Sequence, residues 1–206
     1  NLYKRLIKTF VGKKAPRSGS YANAWTLDLG LNTFKKINFN PEYFMTLQMD
    51  IMFTHYNCLD ALLDLFEKDT IAVGVLKQKN LSKKHDILHS LGCLWRYDLI
   101  LKNNFIFKNK LPKYDVAEFA IKSAIDKGYN IKSLRNSYND FDVLKIIKKE
   151  FLEIGQGVDR AIDDDGNVVF MHLGRGILKS AGNYYKSDRA TSKKWLDWYK
   201  LNISNI

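Results

Sequence analysis

Cysteine and proline are scarce in this chain, with two and three copies in 206 residues, and no long uninterrupted apolar run is present. Each scarcity excludes something. A membrane-spanning helix needs roughly 20 consecutive apolar residues, and no stretch approaches that. Cys58 and Cys93 stand alone, outside any CxxC spacing. That excludes a thiolate metal cage and a disulfide framework, and both read as buried thiols of a reducing compartment. No signal-peptide pattern, internal repeat or low-complexity tract is found, and no shift in composition marks a boundary. A single domain over residues 1–206 is the expectation.

Acidic residues are also few, 22 against 33 Lys and Arg, which leaves a net charge of +11. A surplus of this size points to an anionic partner: nucleic acid, a membrane face or a phosphorylated substrate. Apolar residues make up 46% and aromatics 13%, enough for a buried core in a chain of this length.

The periodicities describe an α/β protein. Leu2, Leu6 and Phe10 recur every four residues, the pattern of a short amphipathic helix. A basic loop, Gly12 to Ser20, then leads into a helix over 20–30 with Gly19 or Ser20 at its cap. A Gly-bearing loop opening a helix offers backbone N–H groups to an anion, although most such loops only cap. Tyr43 to Ile51 reads as a buried strand with a lone acid, Asp50, at its end. Cys58–Asp69 reads as a helix with Leu59, Leu62, Leu63 and Phe66 on one face. Ile71–Leu76 is apolar on both faces, as in a sheet covered on both sides. Residues 77–90 are polar and basic and read as loop or frayed helix, in which His85 and His89 lack a third ligand. Short runs at 91–97 and 131–134 read as strands, and 98–102 starts a short helix. Tyr114–Gly128 predicts the clearest helix, with Val116, Phe119, Ala120, Ser123 and Ala124 as its stripe and Gly128 after its end. Residues 141–151 read as helix. Asp163-Asp164-Asp165-Gly166 between two β-favouring runs predicts a hairpin turn rather than a metal site. Ser192–Lys200 predicts a closing helix.

Five of these stretches, in chain order, resemble a family 2-type glycosyltransferase of the GT-A fold; among them "LGCLWRYDLI" is similar to the segment after which the acceptor side begins. "RSGSYANAWTLDLGL" is similar to the segment that contacts the nucleotide. "YFMTLQMDIMF" sits where that family has its DxD strand, with Gln48-Met49-Asp50 in place of the motif. "KYDVAEFAIKSAIDKGYNIKSL" is similar to the helix that carries the catalytic base at its start. "VVFMHLGRG" is similar to a terminal segment whose His reaches the metal or diphosphate.

The resemblance runs from about Arg17 to Gly176. It implies a mixed sheet flanked by helices, with a C-terminal β-hairpin and helix. It also implies that the family's opening βαβα unit precedes this chain, which is therefore expected to be N-terminally incomplete. The activity implied is inverting transfer from a nucleotide-sugar donor to a glycan or lipid-linked acceptor, assisted by Mg²⁺ or Mn²⁺. On this reading Asp115 is the base, and Asp50 and His172 hold the metal. Arg17, Gly19, Ser20, Gln48 and Arg175 contact the donor. The expected location is cytoplasmic, including the inner face of a membrane.

Each residue has a plainer reading. Asp115 followed by Glu118 is a capping-box pair. A lone His in an apolar strand, such as His172, is often a hydrogen-bonded core residue. Gln48 replaces the first acid of the motif, which leaves Asp50 as the remaining carboxylate and admits a non-catalytic module. A basic nucleic-acid-binding or nuclease domain is the competing function. It ranks second because the Lys and Arg residues are dispersed rather than gathered on one helix.

Overall fold

The computed structural model describes residues 19–48, 50–54, 57–78, 87–111, 113–137, 140–152, 154, 158–173 and 189–202. The helix expected over 1–10, the basic loop up to Ser18 with Arg17, and Arg175 lie outside the described residues. Helix α1 spans Gly19–Lys36 and so runs past the expected end. It stops at Asn38, whose φ of 52° is left-handed, two residues before the Asn40-Pro41 turn.

The expected strand over 43–51 is two strands, β1 (Tyr43–Thr46) and β2 (Ile51–Phe53). Helix α2 (Cys58–Leu63) is shorter than expected; Leu62 is fully buried, but Leu59 faces solvent. Strand β3 (Thr70–Gln78) follows, and then β4 (Ile87–Arg96). His89 therefore lies on a strand, not on a frayed helix. Helix α3 (Tyr97–Lys102) ends in a turn at Asn103 and Asn104 and is followed by an extended stretch over 105–109.

Helix α4 spans Glu118–Asp126, four residues short of the expected start. The preceding residues are tied elsewhere. Tyr114 bridges Lys110, and the Ala117 N–H donates to the Phe107 carbonyl (3.1 Å) with Ala117 at φ 61°. The buried stripe is accordingly Ala117, Ala120, Ile121 and Ala124, with Phe119 and Ser123 only half-buried. Gly128, at φ 85°, occupies the position expected after the helix. Strand β5 (Asn130–Asn136), a 3-10 turn over Phe141–Lys145 and the short α5 (Lys149–Leu152) lead to the hairpin of β6 (Asp159–Ile162) and β7 (Val168–His172). Helix α6 (Arg189–Asn202) is the last described element.

The strands form one mixed sheet in the order β1-β4-β3-β5-β6-β7-β2, with β3 and β5 parallel and the other pairs antiparallel. Its two edges, β1 and β2, are consecutive in sequence. Six strand spacings of about 4.8 Å would set these edges nearly 29 Å apart in a flat sheet. The link from Thr46 to Ile51 reaches at most about 17 Å fully extended. The sheet is therefore compelled to curl.

Two threonines hold the ends of the link. The Thr46 hydroxyl lies within hydrogen-bonding distance of the Ser90 and Cys93 carbonyls and accepts from Trp95 Nε1 (3.1 Å). The Thr54 hydroxyl, just after β2, meets the Val168 and Val169 carbonyls. Inside the curl Cys58, Leu62, Val73, Val75, Leu94, Leu134 and Phe170 pack together. The opposite face of β3 and β4 carries Ala72, Cys93 and Trp95 against α1 and α4. A third cluster joins β6 and β7 to α5 and α6 through Phe151, Ile162, Met171 and Trp198. Arg160 is wholly buried there. Its guanidinium donates to the Phe151 carbonyl (2.7 and 3.0 Å) and the Val158 carbonyl (2.8 Å), pinning α5 to β6. Burial lowers its pKa to about 10, which leaves it charged at neutral pH.

Gly92 on β4 closes the curl against its far side. Its φ is 96°, and a Cβ there would meet the Phe170 ring at 2.8 Å and Ile51 at 3.3 Å. Gly92→Ala is expected to destabilise the protein by about 2–4 kcal/mol through backbone strain and overpacking together. A urea unfolding midpoint matching the parent's would contradict this closure.

Candidate functional site

The link between the sheet edges is a tight turn. The Ile51 N–H donates to the Gln48 carbonyl (3.3 Å), and the Asp50 carbonyl accepts from Leu173 N–H (3.0 Å). This turns both Gln48 and Asp50 toward the end of β7. There His172 pairs with Ile51 on one side and with Asp159 on the other. Gln48 Oε1 contacts His172 Nε2, and Asp50 Oδ1 lies 3.3 Å from the same nitrogen. On the other side of the ring, Nδ1 is 3.1 Å from Asp159 Oδ2. The His89 ring, carried by β4 across the curl, lies 5.3 Å from the His172 ring at a tilt of 57°. Three regions far apart in sequence thus meet at one imidazole.

Burial alone would lower the His172 pKa. Hydrogen bonds to Asp159 and Asp50, and the charges of both, outweigh it and raise the pKa to about 9. The side chain of His172 is 9% exposed and that of Asp50 28%, so the cluster is shielded yet open at the Asp50 side. In this state His172 is an imidazolium held between two carboxylates.

Gln48, Asp50 and His172, expected from the sequence to serve one donor site, lie together at this turn. Among the described residues, no group of three or more His, Cys, Asp and Glu side chains is placed to hold a metal ion. The donor set here is a carboxylate, an imidazole and an amide oxygen. Oxygen and nitrogen donors of these kinds are ones that divalent ions use, but here Nε2 of His172 carries a proton shared with Gln48 and Asp50. Asp159 behind Nδ1 fixes the orientation of the ring.

Gly19 and Ser20 form the first turn of α1, so the expected cap is part of the helix. Asp115 lies just before α4. Its N–H donates to Glu118 Oε2 (2.9 Å), and its Oδ1 accepts from Val116 N–H (2.8 Å), the geometry of the capping-box reading. Asp115 precedes α4, which leads into β5.

Sequence reasoning missed Asp159 and His89. The hairpin explains the first. The Asp163 N–H donates to the Asn167 carbonyl, and Ile162 pairs with Val168, a register that continued unbroken would set Val158 opposite His172. A bulge shifts the register so that Ala161 pairs with Phe170 and Asp159 with His172. The carbonyl of Val169, the extra residue, accepts from the Thr54 hydroxyl (3.0 Å). His89 was legible only as part of a polar run, because its neighbour across the curl comes from the far end of the chain.

No protein-family model, curated protein or solved structure matches the chain.

The raised His172 pKa sets a direction for stability. A histidine held at about 9, above its unfolded value, stabilises fully below about pH 6.5, and the contribution is lost as pH rises through 9. His172→Gln should therefore cost about 2–3 kcal/mol near pH 6 and little near pH 10. Chemical denaturation of both proteins across that range measures the difference; a pH-independent gap would contradict the charged cluster.

Proposed function

We propose that this chain is an inverting, GT-A-type glycosyltransferase that moves a sugar from a nucleotide-sugar donor to a glycan or lipid-linked acceptor. The observation that carries this reading is the convergence of Gln48 Oε1, Asp50 Oδ1 and His172 Nε2 at the turn joining the two sheet edges. The curled mixed sheet, and Asp115 at the start of α4, are compatible with it.

Transfer with inversion requires the acceptor hydroxyl to attack the anomeric carbon from the face opposite the leaving group. The new C–O bond forms as the bond to the diphosphate oxygen breaks. The hydroxyl proton passes to a carboxylate, and the leaving oxygen keeps the electron pair. Asp115 is the proposed base. The Val116 N–H on Oδ1 and the Glu118 carboxylate on its own N–H fix the backbone that presents it. Asp50 and His172, with Gln48, are the proposed holders of Mg²⁺ or Mn²⁺. When bound, that ion supplies positive charge against the leaving diphosphate. Asp159 keeps the His172 ring turned toward Asp50 by its bond to Nδ1.

Two substitutions separate the roles. Asp115→Asn is expected to lower turnover by at least about a hundredfold while donor affinity is retained. Asp50→Ala should abolish the rise in melting temperature that Mn²⁺ with UDP or GDP produces in the parent. Undiminished turnover in Asp115→Asn would remove the base assignment. A melting temperature unmoved by either nucleotide with Mn²⁺ in the parent protein would remove the donor site.

A further inference from the structure

The segment from Lys102 to Lys113 contains four lysines and no acid. Its middle is extended and alternates strictly. Phe105, Phe107 and Asn109 point inward, while Ile106, Lys108 and Lys110 point outward. Leu111 and Lys113 continue the outer face, and Ile106 and Leu111 are 45% and 44% exposed. A second segment of the same character lies alongside. The end of α1 carries Lys35 and Lys36, followed by Ile37 and Phe39, 65% and 51% exposed. Asp28 joins the two: it accepts from Phe107 N–H (2.7 Å), and both Lys35 and Lys108 act on its charge.

Large apolar side chains set among lysines, with the single acid Asp28 turned onto the Phe107 N–H, match the boundary of an anionic bilayer. The apolar groups enter the acyl region, and the ammonium groups meet the headgroups. The alternatives fit less well. Single-stranded nucleic acid is held by successive exposed aromatic faces, whereas here Phe105 and Phe107 are turned into the core and Phe39 is the one exposed phenyl ring of the two segments. A second copy of this chain docked face to face would set lysines against lysines.

We propose that the outer face of residues 102–113, together with the end of α1, docks on an anionic phospholipid bilayer and delivers a lipid-linked acceptor to Asp115. The docking rests on the surface alone, and the acceptor class rests on the glycosyltransferase reading. The chain continues from Lys113 through Tyr114 directly to Asp115, so the docked face and the proposed base are two residues apart. A polyprenyl- or diacyl-anchored sugar held in the bilayer would then meet the base without leaving the membrane surface.

The test is co-sedimentation of the whole chain with vesicles of phosphatidylglycerol and phosphatidylcholine, and with phosphatidylcholine alone, at low and high salt. The parent is expected to bind the anionic vesicles only and to release at high salt. The double variant Ile106→Ser, Lys108→Glu should bind roughly tenfold more weakly, since each surface lysine adds a several-fold factor. Lys148→Glu, exposed on a different part of the surface, should match the parent. The altered side chains are all exposed, and unchanged melting curves verify that the folds survive. Absence of binding to anionic vesicles, or equal loss in Lys148→Glu, would overturn the proposal, as would equal binding to neutral vesicles. Because sedimentation needs no transfer assay, an inactive protein that still docks counts against the transferase reading alone. A protein that transfers to soluble glycans but never sediments counts against the docking alone.

Discussion

Thr46 and Ile51 are five residues apart in the chain and belong to opposite edges of a seven-stranded sheet. That constraint governs the rest of the molecule. It rules out a flat sheet, it brings β4 close to β7 and so requires glycine at position 92, and it turns one apolar run into two strands. It also leaves Gln48 and Asp50 in a turn that belongs to neither edge. Their side chains are thus released from the alternation of a strand and meet His172 on β7, the strand next to the far edge.

Electrostatics concentrate at the same place. The chain as a whole is strongly basic, yet its junction holds two carboxylates around one imidazole. The charged imidazolium and a divalent cation would compete for the same space between Asp50 and His172. In the ion-free protein the proton supplies the positive charge that keeps these carboxylates compatible with burial. On the proposed reading, loading the site exchanges one cation for another rather than creating a charge in a dry place.

Much of the architecture was legible because it rests on local pattern. The hairpin followed from Asp-Gly, the buried strand β3 from an unbroken apolar run, and the end of α4 from Gly128. The errors share one cause, contacts that are not local. Tyr43–Ile51 carries the composition of a single strand, and only closure of the sheet divides it. The start of α4 was set too early because residues 114–117 pair with 107–110, which no helical periodicity reveals. Leu59 was assigned to a buried face because α2 was read as twice its length. In the site, Asp50 and His172 were visible as an acid and a histidine at the ends of apolar runs. Asp159 was hidden by a one-residue bulge and His89 by the curl.

The turn at Leu47–Asp50 has a mechanical meaning as well. It is the clasp of a closed band: separate it, and the two outermost strands part while the central pairs stay joined. The contacts of Gln48 and Asp50 with His172 tie that clasp to β7, one strand in from the β2 edge. Opening the clasp would free both outer strands together, so the amide protons of β1 and β2, at opposite ends of the sheet, are expected to exchange with solvent in step.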